Sequence, residues 1–246
     1  MNRNKIFLLL TGLTLLGGAV AVGVSYERSM TLRSVHFEGA VHTPVETLED
    51  AFLASPGIPI DSLQLDQLAE PLRALPHIKD VRFRLDSRGR LLVDIHEREP
   101  IAVLADRNPA ALVDADGVAM PMVYGVPLDL PLLYGVPLPT KREESTADTR
   151  PSTPFSQVRD LILAASKRPL LQKSLSEITW SEEQGVVAMS SERSLLLIFG
   201  RGDMTTKWHH WEEFAVKVLP REESASYRSV DFRYRDQVVA RTTGGS

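Results

Sequence analysis

The sequence predicts an α+β protein: an N-terminal transmembrane helix, a small β-α-α-β-β domain, then a mostly antiparallel β domain with two helices. Three observations predict it. Residues 6–24 (IFLLLTGLTLLGGAVAVGV) are nineteen residues without a charge, close at helical rise to the thickness of bilayer hydrocarbon. Residues 32–97 hold, in order, one alternating run, two segments of helical period and two more alternating runs. From Ile101 onward short alternating runs dominate, broken by two helical segments.

Arg3 and Lys5 precede the apolar run, so residues 1–5 are expected to stay in the cytoplasm and the rest to be exported. A cleaved signal peptide is the rival reading, with Ile6–Leu16 as its apolar core and Ala19-Val20-Ala21 as the cleavage site. The apolar run continues to Val24, which favours an uncleaved anchor. Both readings export the chain.

The first exported unit spans 30–98. Leu32–Phe37 alternates as a strand. Thr43, Pro44 and Glu46 spell a helix start: a capping hydroxyl, a proline at the first helical position and a capping-box carboxylate. Leu65, Leu68, Leu72 and Leu75 recur at helical spacing, and Pro71 is expected to kink that helix or delay its start. Ile78–Leu85 and Leu91–Glu97 alternate around Asp86–Arg90, a hairpin loop whose Gly89 supplies a positive φ.

The second unit spans 99–241, with 139–154 a polar loop and 242–246 a tail. Its strand candidates are Ala111–Asp114, Val118–Met120, Ile178–Ser181, Gly185–Ser190 and Leu195–Gly200. Its helices are expected at Phe155–Ser166 and Thr206–Leu219. The chain closes on VDFRYRDQVVAR (230–241), where Val230, Phe232 and Tyr234 alternate with Asp231, Arg233 and Arg235 before a break and a second apolar run.

Composition narrows the chemistry. With 43% hydrophobic and 24% charged residues the chain carries enough apolar side chains to fold. Its net charge of −4 argues against nucleic acid as main ligand. Zero cysteines exclude disulfides, thiolate metal sites and cysteine nucleophiles.

His209-His210 beside Glu212 and Glu213 diverge by about 100° on a helix and do not converge on one ion. Trp208, Trp211, Phe214 and Val218 read as a core stripe. Arg201-Gly202-Asp203 reads as a turn with Asp203 as N-cap. His36, His77 and His96 are scattered, and Asp114 and Asp116 flank a turn. No catalytic, cofactor or metal residue is predicted.

Five stretches resemble one family, FtsQ/DivIB. They are Leu75-Pro76-His77-Ile78, with His77 where the family has tryptophan, and Ile95-His96-Glu97-Arg98-Glu99-Pro100-Ile101-Ala102. The others are Leu112-Val113-Asp114-Ala115-Asp116-Gly117, Leu130-Pro131-Leu132-Leu133-Tyr134-Gly135 and Val230-Asp231-Phe232-Arg233-Tyr234.

The resemblance implies a POTRA domain followed by a β domain. It implies a non-enzymatic scaffold of the division septum, anchored once in the inner membrane with its ectodomain in the periplasm. It further implies FtsB-like and FtsL-like partners, docked by strand addition at the C-terminal sheet edge, with no cofactor. On that reading the partner-binding residues are Arg233, Tyr234, Arg235, Gln237, Val238, Val239 and Ala240.

Arg228, Arg233, Arg235 and Arg241 against Asp231 and Asp236 give this stretch a local +2, which suits an acidic partner. The same arginines also fit the solvated face of an ordinary strand. An envelope POTRA protein with a chaperone-like or transport role and an exported enzyme are the other functional classes.

Overall fold

The computed structural model describes residues 31–123, 129–139, 153–167, 174–191, 193–235 and 237–242. The expected anchor, 6–24, and nearly all of the polar loop at 139–154 lie outside the described residues. Among the described residues no helix is long and apolar enough to cross a membrane. The chain divides into two compact units, Met1–Arg98 and Glu99–Ser246.

In the first unit β1 (Ser34–Glu38), β2 (Ile78–Leu85) and β3 (Arg90–Glu97) form a sheet in the order β1-β3-β2. β3 pairs in parallel with β1 and antiparallel with β2. Leu91, Val93 and Ile95, two apart on the central strand, are all buried. Leu48 and Phe52 from α1 (Val45–Ala51) and its end, with Leu68 and Leu72 from α2 (Leu65–Arg73), complete that core. Phe52 packs edge-on against Phe37, centroids 5.7 Å apart.

Two local expectations fail here. α1 takes no side-chain cap, and Pro44 stands just before the helix rather than inside it. The reason is long-range. The Glu97 carboxylate, from the end of β3, accepts the N–H groups of Val41 (3.1 Å), His42 (2.9 Å) and Thr43 (2.8 Å). Burial pushes the Glu97 carboxyl up, but these N–H groups outweigh it and hold it below the usual range.

α2 runs through Pro71. An interior proline costs about 3 kcal/mol, and burial of Leu68, Ala69 and Leu72 on the inward face offsets it.

The second unit is a nine-stranded sheet in the order β12-β11-β10-β9-β8-β7-β4-β5-β6. Its strands are β4 (Pro100–Leu104), β5 (Ala111–Asp114), β6 (Ala119–Pro121), β7 (Leu132–Tyr134), β8 (Leu175–Ser181), β9 (Gly185–Ser190), β10 (Leu196–Gly200), β11 (Tyr227–Asp231) and β12 (Val239–Thr242). Five neighbouring pairs are antiparallel and three parallel. Two helices, α3 (Pro154–Ser166) and α4 (Met204–Lys217), share one core with the sheet.

β7 is absent from the strand candidates read in the sequence, because Pro127, Pro131, Pro137 and Pro139 punctuate its surroundings. Yet it is central, parallel to both β4 and β8. Pro131 sits just outside it and spends its carbonyl on the Val103 N–H, 3.0 Å away.

Asp203 caps α4, accepting from the N–H groups of Thr205 and Thr206, so the helix begins at Met204 rather than Thr206.

Candidate partner-docking edge

The closing hairpin is shorter than its alternation suggests. β11 ends at Asp231; Phe232 still donates its N–H to the Ile198 carbonyl of β10 at 2.8 Å, and Arg233 to Arg235 leave the sheet. Val230 and Phe232 still point into the core, where Phe232 stacks on Phe199 at 5.2 Å and meets Trp211 edge-on at 6.2 Å.

Asp231, between them, is also buried, at 1% exposure. A buried carboxylate is costly unless paired, and Arg233 pairs it. Arg233 Nε donates to Oδ1 at 2.9 Å, its second guanidinium nitrogen to Oδ2 at 2.6 Å, and its own backbone N–H to Oδ1 at 3.1 Å. Burial alone raises the Asp231 carboxyl; the Arg233 bonds outweigh it and hold it below the usual range.

The pair needs room. Gly200 has φ +75, and a Cβ there would stand 2.6 Å from Arg233 Cγ. Lys207 crosses beneath, donating to the carbonyls of Phe199 and Arg201 (2.6 Å to the latter). Burial holds its ammonium below the usual lysine range despite the nearby Asp231 and Asp203 charges.

The structure therefore separates the seven residues read from sequence. Arg233 is bound to Asp231 two residues away, and its side chain is about a third exposed. Tyr234, Arg235 and Gln237 lie exposed in the connection. Val238 and Ala240 pack against the core. Val239 pairs across to Asp231, so it shares that residue's face of the sheet. Arg241 and Thr242, outside the seven, complete β12 and are exposed. A period-two reading continued past Ala240 would have reached them.

β12 pairs with β11 through Tyr227↔Thr242, Ser229↔Arg241, Val230↔Ala240 and Asp231↔Val239. It is the last strand of the sheet, so among the described residues its other side meets no strand. Alternate N–H and C=O groups face that side. The arrangement offers backbone recognition rather than covalent chemistry. Elsewhere, the exposed His209 contacts the largely covered Glu212 one turn along α4. Among the described residues no group of three or more His, Cys, Asp or Glu is placed to hold a metal ion.

Residues 99–241 match the family described as "FtsQ/DivIB, C-terminal related", and residues 30–98 match the FtsQ-type POTRA domain. The chain belongs to the FtsQ/DivIB family.

It is 26% identical to the cell division protein FtsQ of Salinibacter ruber, over 93% of this chain and 90% of that one. It is 29% identical to that of Anaeromyxobacter sp. (strain K), over 94% and 79%. A 63-residue stretch is 41% identical to that of a Jannaschia species, covering 25% of this chain and 20% of that one.

The residues that carry the FtsQ/DivIB likeness prove to be folding devices. Glu97 holds the loop before α1. Asp114, 3% exposed, takes the N–H groups of Asp116 (3.0 Å) and Val118 (2.8 Å) around Gly117 at φ +84. Gly135 donates its N–H to Asp106 at 2.9 Å. Asp231 and Arg233 hold each other.

Proposed function

We propose that this chain is a non-enzymatic scaffold of the bacterial division machinery, anchored in the inner membrane by residues 6–24 with its ectodomain in the periplasm. Its domains are a POTRA unit at 30–98 and a β unit at 99–241. The relatives are named cell division proteins, which supports the division setting.

The β12 edge takes an FtsB/FtsL-like partner by strand addition. The observation that carries this is the outer side of a four-residue strand that ends a large sheet and, among the described residues, meets no further strand. Arg235 and Arg241, exposed beside it, suit an acidic segment. Arg233 acts differently on this reading, because its guanidinium already holds Asp231. It shapes the connection from which Tyr234 and Arg235 project.

A pair of proline substitutions tests the edge. Neighbouring N–H groups on a strand point to opposite sides, so Val239→Pro and Ala240→Pro differ in kind. One removes a bond to β11; the other removes only an outward donor. Full-length variants are purified from detergent-solubilised membranes and their partners identified. The outward proline is expected to release small bitopic division proteins while leaving the melting temperature within a few degrees of the parent. Retention of those proteins by both folded variants would place their binding site elsewhere.

A further inference from the structure

The POTRA unit begins at a point that two loops lock. Thr31 bridges to Pro59, Leu32 donates its N–H to the Ile58 carbonyl at 2.8 Å, and Gly57 returns the bond to Leu32 at 2.7 Å. Arg33 donates to the Gly89 carbonyl at 2.7 Å, and a Cβ on Gly89 would meet the Thr31 carbonyl at 2.5 Å. The Pro56–Pro59 loop and the tip of the β2–β3 hairpin therefore flank the residue where the chain enters the domain.

Two features of this end point to a ligand. Arg33 and Arg88 are exposed, and no ion pair holds either of them among the described residues, whereas Arg90 in the same hairpin is bound to Asp86 at 2.7 Å. Pro56 and Pro59 are exposed, and Leu53, just before that loop, is 72% exposed. The rest follows from chain length. Only six residues (Ser25–Met30) separate the apolar run from Thr31, so at full extension Thr31 stands at most about 25 Å from Val24.

We propose that this end of the POTRA unit rests on the bilayer, with Arg33 and Arg88 on the phosphates of anionic phospholipids and Leu53 and Pro56 against the headgroup region. The inference rests on the anchoring of residues 6–24. Guanidinium binds phosphate oxygens in a fork. Basic side chains close to an anionic surface are also drawn to it electrostatically.

The absence of cysteine makes the test direct. Full-length protein carrying Ser87→Cys at the hairpin tip, or Lys79→Cys about 20 Å away near the other end of β2, is labelled with a fluorophore. Each is reconstituted into nanodiscs containing headgroup spin-labelled lipid as quencher. Discs are made of phosphatidylcholine alone or with one-third phosphatidylglycerol.

Position 87 is expected to be quenched at least twofold more than position 79 in the anionic discs. Arg33→Glu with Arg88→Glu should reverse most of that difference, and phosphatidylcholine discs should show less of it. Equal quenching at 87 in both discs, unchanged by the substitutions, would mean that the tether alone brings the domain close and would overturn headgroup recognition. Shielding of position 87 from a water-soluble quencher in micelles as well as discs would assign the face to protein contact instead. Protein that elutes apart from the discs would remove the anchor, and this inference with it; protein that co-elutes without quenching at 87 would overturn this inference alone.

Discussion

At one end of the nine-stranded sheet β6 has three residues and finishes on Pro121; at the other, β12 has four and no proline. Proline cannot donate to a further strand, and a three-residue edge offers little to pair with. Met120 on β6 is buried in a small cluster with Val103 and Leu112, packed about by Met122, Val123 and Leu130. The β12 edge has its inner face on the main core through Ala240, while Arg241 and Thr242 stay exposed. One edge is thus blunted and the other left able to pair. Open edges invite aggregation, and an edge left unpaired among the described residues is what the strand addition proposed above requires.

The sharpest way to break this contrast is to damage what lies under each edge. Phe232→Ala removes a ring stacked on Phe199 and set edge-on to Trp211 and is expected to cost about 3–5 kcal/mol in chemical denaturation, with loss of the partner. Met120→Ala under the other edge should cost about 2–5 kcal/mol yet leave the partner retained per folded molecule. Equal partner loss in both would dissolve the distinction between the edges.

Next in size is Asp231→Ala, expected to lower stability by about 2 kcal/mol, since Arg233 loses its buried acceptor but keeps access to water. The same pair sets a pH dependence. The folded carboxyl titrates below its ordinary value of 3.8. Its contribution is therefore fully present above that value and lost as pH falls through the lower folded one. Acid unfolding should be less steep below about pH 4 in D231A than in the parent; superimposable slopes would count against the pairing.

Smaller still is charge. Arg235→Glu with Arg241→Glu should weaken partner binding several-fold at low salt, through the association rate, and barely at all in 1 M salt. Smallest is Pro121→Val, which restores one donor to β6. It should raise self-association slightly in sedimentation without adding partner binding. Added partner would show that β6 is kept closed by that proline alone.

Much of this fold was legible locally. Alternation at Leu91, Val93 and Ile95 and helical recurrence at Leu65, Leu68 and Leu72 place elements close to where they form, because those periods reflect the geometry of one strand or helix. Asp203 was readable as a cap for the same reason. β7 was hidden among prolines, since a strand of three residues carries too few positions for a period to emerge. Of the candidate edge, the apolar run at Val239 and Ala240 is legible as strand and lies on β12; the turn of Arg233 onto Asp231 is not, because alternation places a side chain on a face without saying what it meets there.

Residue patterns alone carry the α+β class, the order of elements in the first unit and the motifs by which the family is recognised. Those are properties of short windows, where each residue's period and turn chemistry act on its neighbours. Which strand ends the sheet, that Glu97 rather than Thr43 holds the loop before α1, and that Asp231 is buried are settled only when the chain has folded. Each of those depends on which distant backbone groups still need a partner after the core has closed, and no local pattern records that.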